Sequence, residues 1–344
     1  MTNLRLLVTL ASRFMQNNGE VKFAVIHVTT RCNAKCVDRC NIWASPPVDM
    51  SLKDVLFVID VLAKNNFSIA YFTGGETGLY PYLIEAIMHA KEKGLATSIT
   101  TNGTIPRETV MQLSKSLDAL SVSVDHYDNR LWDEAKHVPG ISQTALKTIQ
   151  LAKACGLRTY GVTFLNPNWA ADDVSKMVHY VNDKLGVPFS FSYPYISSNE
   201  GTFKVGGNLK KTSNDFYINL RRNVAKILEL KLAGSQVANT TGYLRDVLRA
   251  HDNLPMKYPC KAGRVILTVD CNLNVFPCYK KGKIVNLREN QEINFQATDN
   301  SMCDNKFCMI NCFKEASEAS RETVFSWVKE EFFSNPEFFL AFLR

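Results

Sequence analysis

The stretch Phe23-Ala-Val-Ile-His-Val-Thr-Thr-Arg-Cys-Asn-Ala-Lys-Cys-Val-Asp-Arg-Cys40 decides the fold, because an apolar run leads directly into three cysteines. The run from Phe23 to Val28 has the short, apolar, β-branched composition of a buried strand. Cys32, Cys36 and Cys40 follow within nine residues. Thiols this close in sequence cannot join distant parts of a fold, but they can surround one inorganic centre. The sequence therefore predicts a loop that holds such a centre at the end of a strand.

The chemistry of three thiols favours an iron–sulfur cluster at this loop. Cysteine thiolates hold such clusters, and three of them leave one iron of a [4Fe–4S] cluster without a protein ligand. An open iron is a place where a substrate can bind. The alternative is a zinc site or three unrelated thiols. Structural zinc normally takes four protein ligands, and no fourth Cys or His lies close to Cys40 in the sequence.

The composition is that of a globular protein with a large domain and a smaller one. The chain has 344 residues, 46% of them hydrophobic, and a net charge of 40 − 33 = +7. No basic stripe with interleaved aromatic residues indicates nucleic-acid binding, and no apolar run approaches the roughly 20 residues of a membrane span. The ten cysteines without a secretion signal favour a cytoplasmic, reducing location and metal binding over disulfides.

Apolar runs alternate with helical patterns from residue 23 onward, which predicts a parallel sheet with crossover helices. The predicted strands cover residues 23–29, 68–73, 95–101, 119–125, 158–165 and 188–193. The helical patterns cover about 52–62, 81–93, 106–117, 142–154 and 170–184. Six such units predict an α/β fold that closes as a partial (β/α)6 barrel.

A polar motif follows each of the six predicted strands. The motifs are the cysteine loop, Thr73–Thr77, Thr100–Thr104, Ser121–His126, Asn166 and Tyr193–Tyr195. The carboxyl ends of the strands of a parallel barrel share one face, where active sites are built. The sequence therefore predicts one shared site rather than six unrelated turns.

The cysteine loop resembles that of the radical S-adenosylmethionine (SAM) enzymes, whose pattern is Cys-x3-Cys-x2-Cys. The flanks Thr29-Thr30-Arg31, Asn33-Ala34-Lys35 and Asn41-Ile42-Trp43 are also similar to those of that superfamily. Here the second gap has three residues instead of two, and Arg39 stands where the family usually has an aromatic residue. Loops absorb one extra residue readily, so we expect the loop to bulge and still bind a cluster. Either Arg39 then stacks its guanidinium on the adenine of SAM, or another wall of the pocket holds the adenine.

The resemblance also implies a set of SAM-binding residues. Gly74-Gly75-Glu76 resembles the Gly-Gly-Glu motif that approaches the amino group of SAM, with Thr77 where Pro is common. On the same resemblance, Ser123 and Asp125 contact the ribose, and Asn166 contacts SAM from the fifth strand. Lys136 replaces the Arg that meets the methionine carboxylate, or else it is a solvated surface residue. We expect Glu76→Ala to damage SAM use rather than stability.

A second group of cysteines follows residue 258 in a predicted hairpin with a Cys on either side of it. This arrangement resembles the SPASM and twitch domains that hold auxiliary clusters behind many radical SAM cores. The expected ligands of one auxiliary [4Fe–4S] cluster are Cys260, Cys278, Cys308 and Cys312, with Cys271 and Cys303 as substitutes. The alternative is a hairpin stabilised by zinc.

These motifs predict five segments along the chain. They are an N-terminal amphipathic helix (1–20), a radical SAM core (21–210), a helical bridge (211–255), an auxiliary cluster domain (256–316) and a C-terminal helix (317–344). The first segment is expected to pack on the core, with contact to a membrane surface as the alternative. The last is rich in phenylalanine and is expected to cap the barrel or form a dimer contact.

The resemblance implies reductive cleavage of SAM to a 5′-deoxyadenosyl radical that removes hydrogen from a substrate. An electron donor such as flavodoxin or ferredoxin is then required. The substrate is a small molecule, a lipid or a peptide, and the absence of a predicted recognition domain before the first strand favours the first two. The alternative is a non-catalytic iron–sulfur electron carrier or scaffold, which the altered cysteine spacing favours and the six clustered motifs oppose.

Overall fold

The fold is organised by one mixed sheet of nine strands. The computed structural model describes residues 12, 14–17, 19–36, 40, 42, 45–194, 215–293, 308–318, 328–331 and 333. The strands are β1 (Phe23–Thr29), β2 (Ile69–Gly74), β3 (Ala96–Thr101), β4 (Ala119–Ser123), β5 (Thr159–Phe164), β6 (Phe189–Ser192), β7 (Ile266–Val269), β8 (Asn274–Phe276) and β9 (Val285–Asn286). Their spatial order is β6-β5-β4-β3-β2-β1-β7-β8-β9. The first seven strands in that order pair in parallel.

Helices lie between the parallel strands along the chain, and one further helix follows β9. The helices are α1 (Leu52–Lys64), α2 (Leu83–Glu92), α3 (Arg107–Leu113), α4 (Asn129–Lys136), α5 (Ile141–Ala154), α6 (Ala171–His179), α7 (Asp215–Leu232), α8 (Thr241–His251) and α9 (Asn311–Ala316). A short π-helical segment, Tyr180–Leu185, extends α6. Helix α1 shows why such elements begin where they do: the Ser51 side chain accepts a hydrogen bond from the Asp54 N–H, as an N-cap does.

Side chains of β1 alternate between two apolar cores, as the two-residue period of a strand requires. Ala24, Ile26 and Val28 lie in the main core with the helices. Phe23 and Val25 point to the other face, where they meet a smaller core built from the C-terminal cysteine-rich region. The strand that leads into the cysteine loop is therefore buried on both faces, which fixes the direction in which the loop leaves it.

The six strands predicted from the sequence are observed, and the α/β partial-barrel prediction is confirmed. The prediction was incomplete at one edge, because β7 pairs in parallel with β1 from Phe23 to Ile26. Strands β8 and β9 then continue antiparallel from β7. The cysteine-rich hairpin is therefore part of the same sheet as the core, and the two cysteine groups are attached to neighbouring strands.

Several terminal predictions lie outside the described residues. In the predicted N-terminal helix, residues 12 and 14–16 are helical, and in the predicted C-terminal helix residues 328–331 and 333 are. The residues that are not described include 1–11, 13 and 18 of the first segment, 319–327, 332 and 334–344 of the last, the loop 195–214 and Cys303. Within the part of the chain that is described, no helix has both the length and the apolar character needed to cross a membrane.

Candidate cofactor site

The parallel register brings the ends of the first six strands to one edge of the sheet. Neighbouring strand ends pair directly: Thr29 with Gly74, Thr101 with Val122, and Phe164 with Ser192. The polar motifs that follow these strands therefore share one face. This placement is what the sequence pattern predicted.

The three cysteines of the first loop pack together with apolar neighbours. Ala34, Cys36 and Ile141 form the buried part of this cluster, and Cys32 and Cys40 pack against it. Burial raises the pKa of the Cys32 thiol to about 12, an effect to which the thiols of Cys36 and Cys40 also contribute. The Ala34 N–H donates to Cys32 Sγ over 3.4 Å. The residues of the enlarged gap, 37–39, lie outside the described residues, as does the expected adenine contact of Arg39.

Gly74 and Gly75 bring the end of β2 against the backbone that enters the cysteine loop. The Gly75 N–H donates to the Thr29 carbonyl and the Glu76 N–H to the Arg31 carbonyl, both over 2.8 Å. A Cβ at Gly75 would lie 2.0 Å from the Arg31 carbonyl oxygen, and one at Gly74 would lie 2.2 Å from that of Thr29. Such contacts exclude any side chain, so only glycine allows this approach.

Glu76 is buried and its carboxylate is occupied by donors from the protein. Oε1 accepts from Thr101 Oγ1 over 2.5 Å and from the Gly78 N–H over 2.8 Å, while Oε2 accepts from the Asn102 N–H over 2.6 Å. Burial raises the pKa of this carboxyl group, and these hydrogen bonds oppose the rise. The carboxylate joins the ends of β2 and β3. The expectation that Glu76→Ala spares stability conflicts with this bonding, because three donors would lose their acceptor.

Asp125 and Lys136 form a buried ion pair at the same edge. Lys136 Nζ lies 3.0 Å from Asp125 Oδ2, with the two side chains 10% and 3% exposed. This geometry excludes the alternative that Lys136 is a solvated surface residue. The carbonyl of Lys136 also accepts from the Lys35 N–H over 3.1 Å, which ties α4 to the cysteine loop. Helix α4 was absent from the sequence prediction.

Ser123 and Asn166 occupy the ends of β4 and β5. Ser123 is the last residue of β4 and is partly exposed. Asn166 lies two residues beyond β5, where its Oδ1 accepts from the Asn168 N–H over 2.9 Å. Both positions lie on the predicted face, and Asn166 is also held by its own turn.

The C-terminal cysteines form a second group. Cys260, Cys278, Cys308 and Cys312 all pack against the smaller apolar core. Burial raises the pKa of Cys308 to about 11, and the thiols of Cys260 and Cys278 add to the rise. The structure thus brings together the four cysteines that were expected to form a set. Cys271 stands apart, since its Sγ donates to the His27 carbonyl over 3.1 Å.

A contact that the sequence did not predict joins the strand that leads into the first cysteine group to the residue that follows Cys278. Nε2 of His27, on β1, lies 3.3 Å from Oη of Tyr279, which follows Cys278. Burial lowers the pKa of His27 to about 3, so the imidazole is neutral. The pairing of β1 with β7 produces this contact, and nothing in the local sequence around either residue indicates it.

The donor sets fit iron–sulfur clusters. Each group offers thiols alone, and neighbouring thiols add to the raised pKa of Cys32 in the first group and of Cys308 and Cys312 in the second. Among the described residues, no three His, Cys, Asp or Glu side chains are arranged to hold a single metal ion. Thiolates around a cluster are distributed over several irons, so they need not converge on one point. The first group holds three thiols and the second holds four.

Residues 26–181 match the family model described as the Radical SAM superfamily. The subtilosin biosynthesis protein AlbA of Bacillus subtilis is 26% identical over 180 residues, which are 50% of this chain and 39% of that protein. The AdoMet-dependent heme synthase of Methanosarcina barkeri is 22% identical over 283 residues, or 73% of this chain and 74% of that one. In AlbA and in two other curated relatives, an AdoMet-dependent heme synthase and an Fe-coproporphyrin III synthase, the matched segment spans only 34–39% of the relative's own length.

Solved structures share the fold. SuiB of Streptococcus suis bound to S-adenosylmethionine superposes with a TM-score of 0.64 at 18% identity, covering 85% of this chain and 69% of that one. The protein anSMEcpe with bound AdoMet and the Cp18Cys peptide gives a TM-score of 0.54 at 16% identity and covers 93% of this chain and 98% of that one. The similarity reaches beyond the first six strands into the cysteine-rich region.

Proposed function

We propose that this chain, whose residues 26–181 match the Radical SAM superfamily model and are followed by a cysteine-rich region, cleaves SAM reductively. The observation that carries the proposal is the packing of Cys32, Cys36 and Cys40 in one cluster on the face where the other polar motifs meet. We assign these three thiolates to a [4Fe–4S] cluster whose fourth iron is open to SAM. When bound, the cluster and SAM supply a 5′-deoxyadenosyl radical that takes hydrogen from the substrate.

The residues around the loop are proposed to bind and orient SAM. Gly74 and Gly75 present backbone to its amino group, and Glu76 holds that backbone in place through its bonds to β3. Lys136 supplies the positive charge for the methionine carboxylate. Its ion pair with Asp125 fixes the ammonium group beside the proposed ribose contact, so the pair would contact both the methionine carboxylate and the ribose. Ser123 and Asn166 complete the proposed contacts.

We assign a second, auxiliary [4Fe–4S] cluster to Cys260, Cys278, Cys308 and Cys312. Four thiols packed on one apolar core support this assignment, because a [4Fe–4S] cluster takes four cysteine thiolates as ligands. Such a cluster would exchange an electron or hold the substrate. The cysteine-rich region includes β7, which pairs with β1, and β1 leads into the first cysteine loop. This connection supports a role close to the radical chemistry.

For the substrate, the comparisons favour a peptide. SuiB has been solved with the precursor peptide SuiA, and anSMEcpe with two peptides. This shifts the balance away from the small molecule or lipid favoured by the sequence. A tetrapyrrole or other cofactor precursor is the second candidate, because the heme synthase similarity spans 73% of the chain. An electron donor of the flavodoxin or ferredoxin type is part of the proposal.

The proposal predicts that anaerobically reconstituted protein, given SAM and dithionite, releases 5′-deoxyadenosine and methionine. Slow release without any substrate is expected, because the open iron and the SAM contacts lie within this chain. Liquid chromatography of the quenched reaction measures both products. A protein that binds its full iron and yields no 5′-deoxyadenosine would instead be the non-catalytic electron carrier or scaffold.

A further inference from the structure

We propose that a ring of three side chains, Asn33, Asn102 and Thr104, positions the cysteine loop for cluster and SAM binding. The proposal rests on the proposed function, since it concerns how the same loop is held. It assigns a task to the side chains of Asn33, Asn102 and Thr104, which none of the SAM contacts above uses. The three residues are positioning residues, and none of them is a proposed ligand of iron or SAM.

The ring is closed by three hydrogen bonds that run in one direction. Asn33 Nδ2 donates to Thr104 Oγ1 over 2.9 Å. Thr104 Oγ1 donates to Asn102 Oδ1 over 2.7 Å. Asn102 Nδ2 donates to Asn33 Oδ1 over 2.8 Å. Each side chain therefore gives one bond and receives one, and such chains of bonds polarise and strengthen one another.

One corner of the ring belongs to the cysteine loop, and the other two belong to the turn after β3. Asn33 directly follows Cys32. The turn itself is fixed: the Asn102 N–H is bound to Glu76, and the Thr104 N–H donates to Asn102 Oδ1 over 3.0 Å. The ring thus transmits the position of a rigid turn to the residue beside the first cysteine.

Helix α5 anchors that turn from behind. Thr148 Oγ1 donates to the Gly103 carbonyl over 2.7 Å. Gly103 has a φ of +94°, and a Cβ there would lie 2.4 Å from the Cβ of Ala145, so the turn packs directly on the helix. The first residue of α5, Ile141, also contacts the cysteine cluster. One helix therefore supports the loop at two points, directly and through the ring.

Together these contacts hold the loop between Cys32 and Cys36 on several sides. Asn33 is held by the ring, Ala34 packs beside Ile141, and the Lys35 N–H is bound to the Lys136 carbonyl. The enlarged gap comes only after Cys36. These contacts place Cys32 and Cys36 in one frame, to which Cys40 is joined because its N–H donates to the Cys36 carbonyl over 3.1 Å.

The test is Thr104→Val in the reconstituted full-length protein, because valine keeps the branched shape and removes the hydroxyl that takes part in two ring bonds. We expect hydrogen exchange at residues 31–36 to rise about tenfold and SAM affinity to fall about tenfold, as two lost hydrogen bonds imply. Loss of cluster iron in air should also be faster. Thr104→Ser should restore all three. Thr97→Val, which removes a hydroxyl at the other end of β3, should change none of them.

Asn33→Ala provides an independent variant, since Asn33 is exposed and its truncation leaves the turn intact. It should reproduce the Thr104→Val exchange and affinity changes. If hydrogen exchange and SAM affinity in both variants equal those of the wild-type protein, the positioning role is wrong and the proposed function still stands. Wild-type protein that takes up no iron at Cys32, Cys36 and Cys40 would overturn the proposed function itself.

Discussion

Replacing Cys32, Cys36 and Cys40 together by alanine is expected to lower the iron of reconstituted protein from about eight to about four atoms. The same change should abolish 5′-deoxyadenosine formation, because SAM then has no open iron to bind. The physical reason is that these thiols pack in one cluster separate from the C-terminal four. Iron analysis and product chromatography on the same preparation measure both effects.

Two single cysteines serve as controls for that experiment. Cys155 ends α5 away from both groups, and Cys271 donates to the His27 carbonyl. Cys155→Ala and Cys271→Ala should each retain about eight irons. Iron that is unchanged in the triple variant would contradict the assignment of the first cluster. Loss of about four irons in Cys271→Ala would place it among the auxiliary ligands instead.

The second large effect is expected at Glu76. Glu76→Ala leaves three donors without their acceptor in a buried place, where each unsatisfied group costs about 1–3 kcal/mol. Loss of the burial cost of the carboxylate offsets part of this, so we expect a decrease of about 3 kcal/mol in the free energy of unfolding. SAM binding should weaken as well, because the backbone of Gly75 is held through this residue.

Denaturant unfolding of Glu76→Ala, Glu76→Gln and Glu92→Ala measures the effect at Glu76. Glutamine keeps one acceptor oxygen and should lose less stability than alanine. The Glu92 side chain is 70% exposed, so its replacement should change stability by less than about 0.5 kcal/mol. A Glu76→Ala variant with normal stability and defective SAM binding would indicate that Glu76 contacts the cofactor directly.

The sequence predicted the six-stranded core well because each strand is a short segment of apolar and small or β-branched residues that ends in a polar motif. The observed strands β1 to β6 begin and end within about two residues of the predicted limits. Strand β1 is buried on both faces and is a nearly continuous apolar run, which makes it visible without any knowledge of its partners. The convergence of the motifs then followed from the parallel topology.

Helix α4 could not be predicted from periodicity. It has eight residues, of which only Trp132 and Lys136 are buried, so it has no apolar stripe. Its start depends on Asp128, whose side chain accepts from the N–H groups of Arg130 and Leu131. Without this helix, the placement of Lys136 beside Asp125 could only be inferred from the family resemblance.

The remaining differences come from contacts between distant parts of the chain. The pairing of β7 with β1 joins residues more than 200 positions apart, and no local pattern specifies it. The donors that surround Glu76 come partly from Thr101 and Asn102, on a different strand end. The sequence indicated that Glu76 lies at the site, but not that its carboxylate is bound within the protein.

The most direct measurement is the electron paramagnetic resonance spectrum of a variant in which Cys260, Cys278, Cys308 and Cys312 are all replaced by alanine. With only the first cluster remaining, the reduced protein should hold about four irons and show one cluster signal. Addition of SAM should shift that signal, because SAM binds the iron that lacks a cysteine. A cluster signal that SAM leaves unchanged would contradict an open iron at Cys32, Cys36 and Cys40.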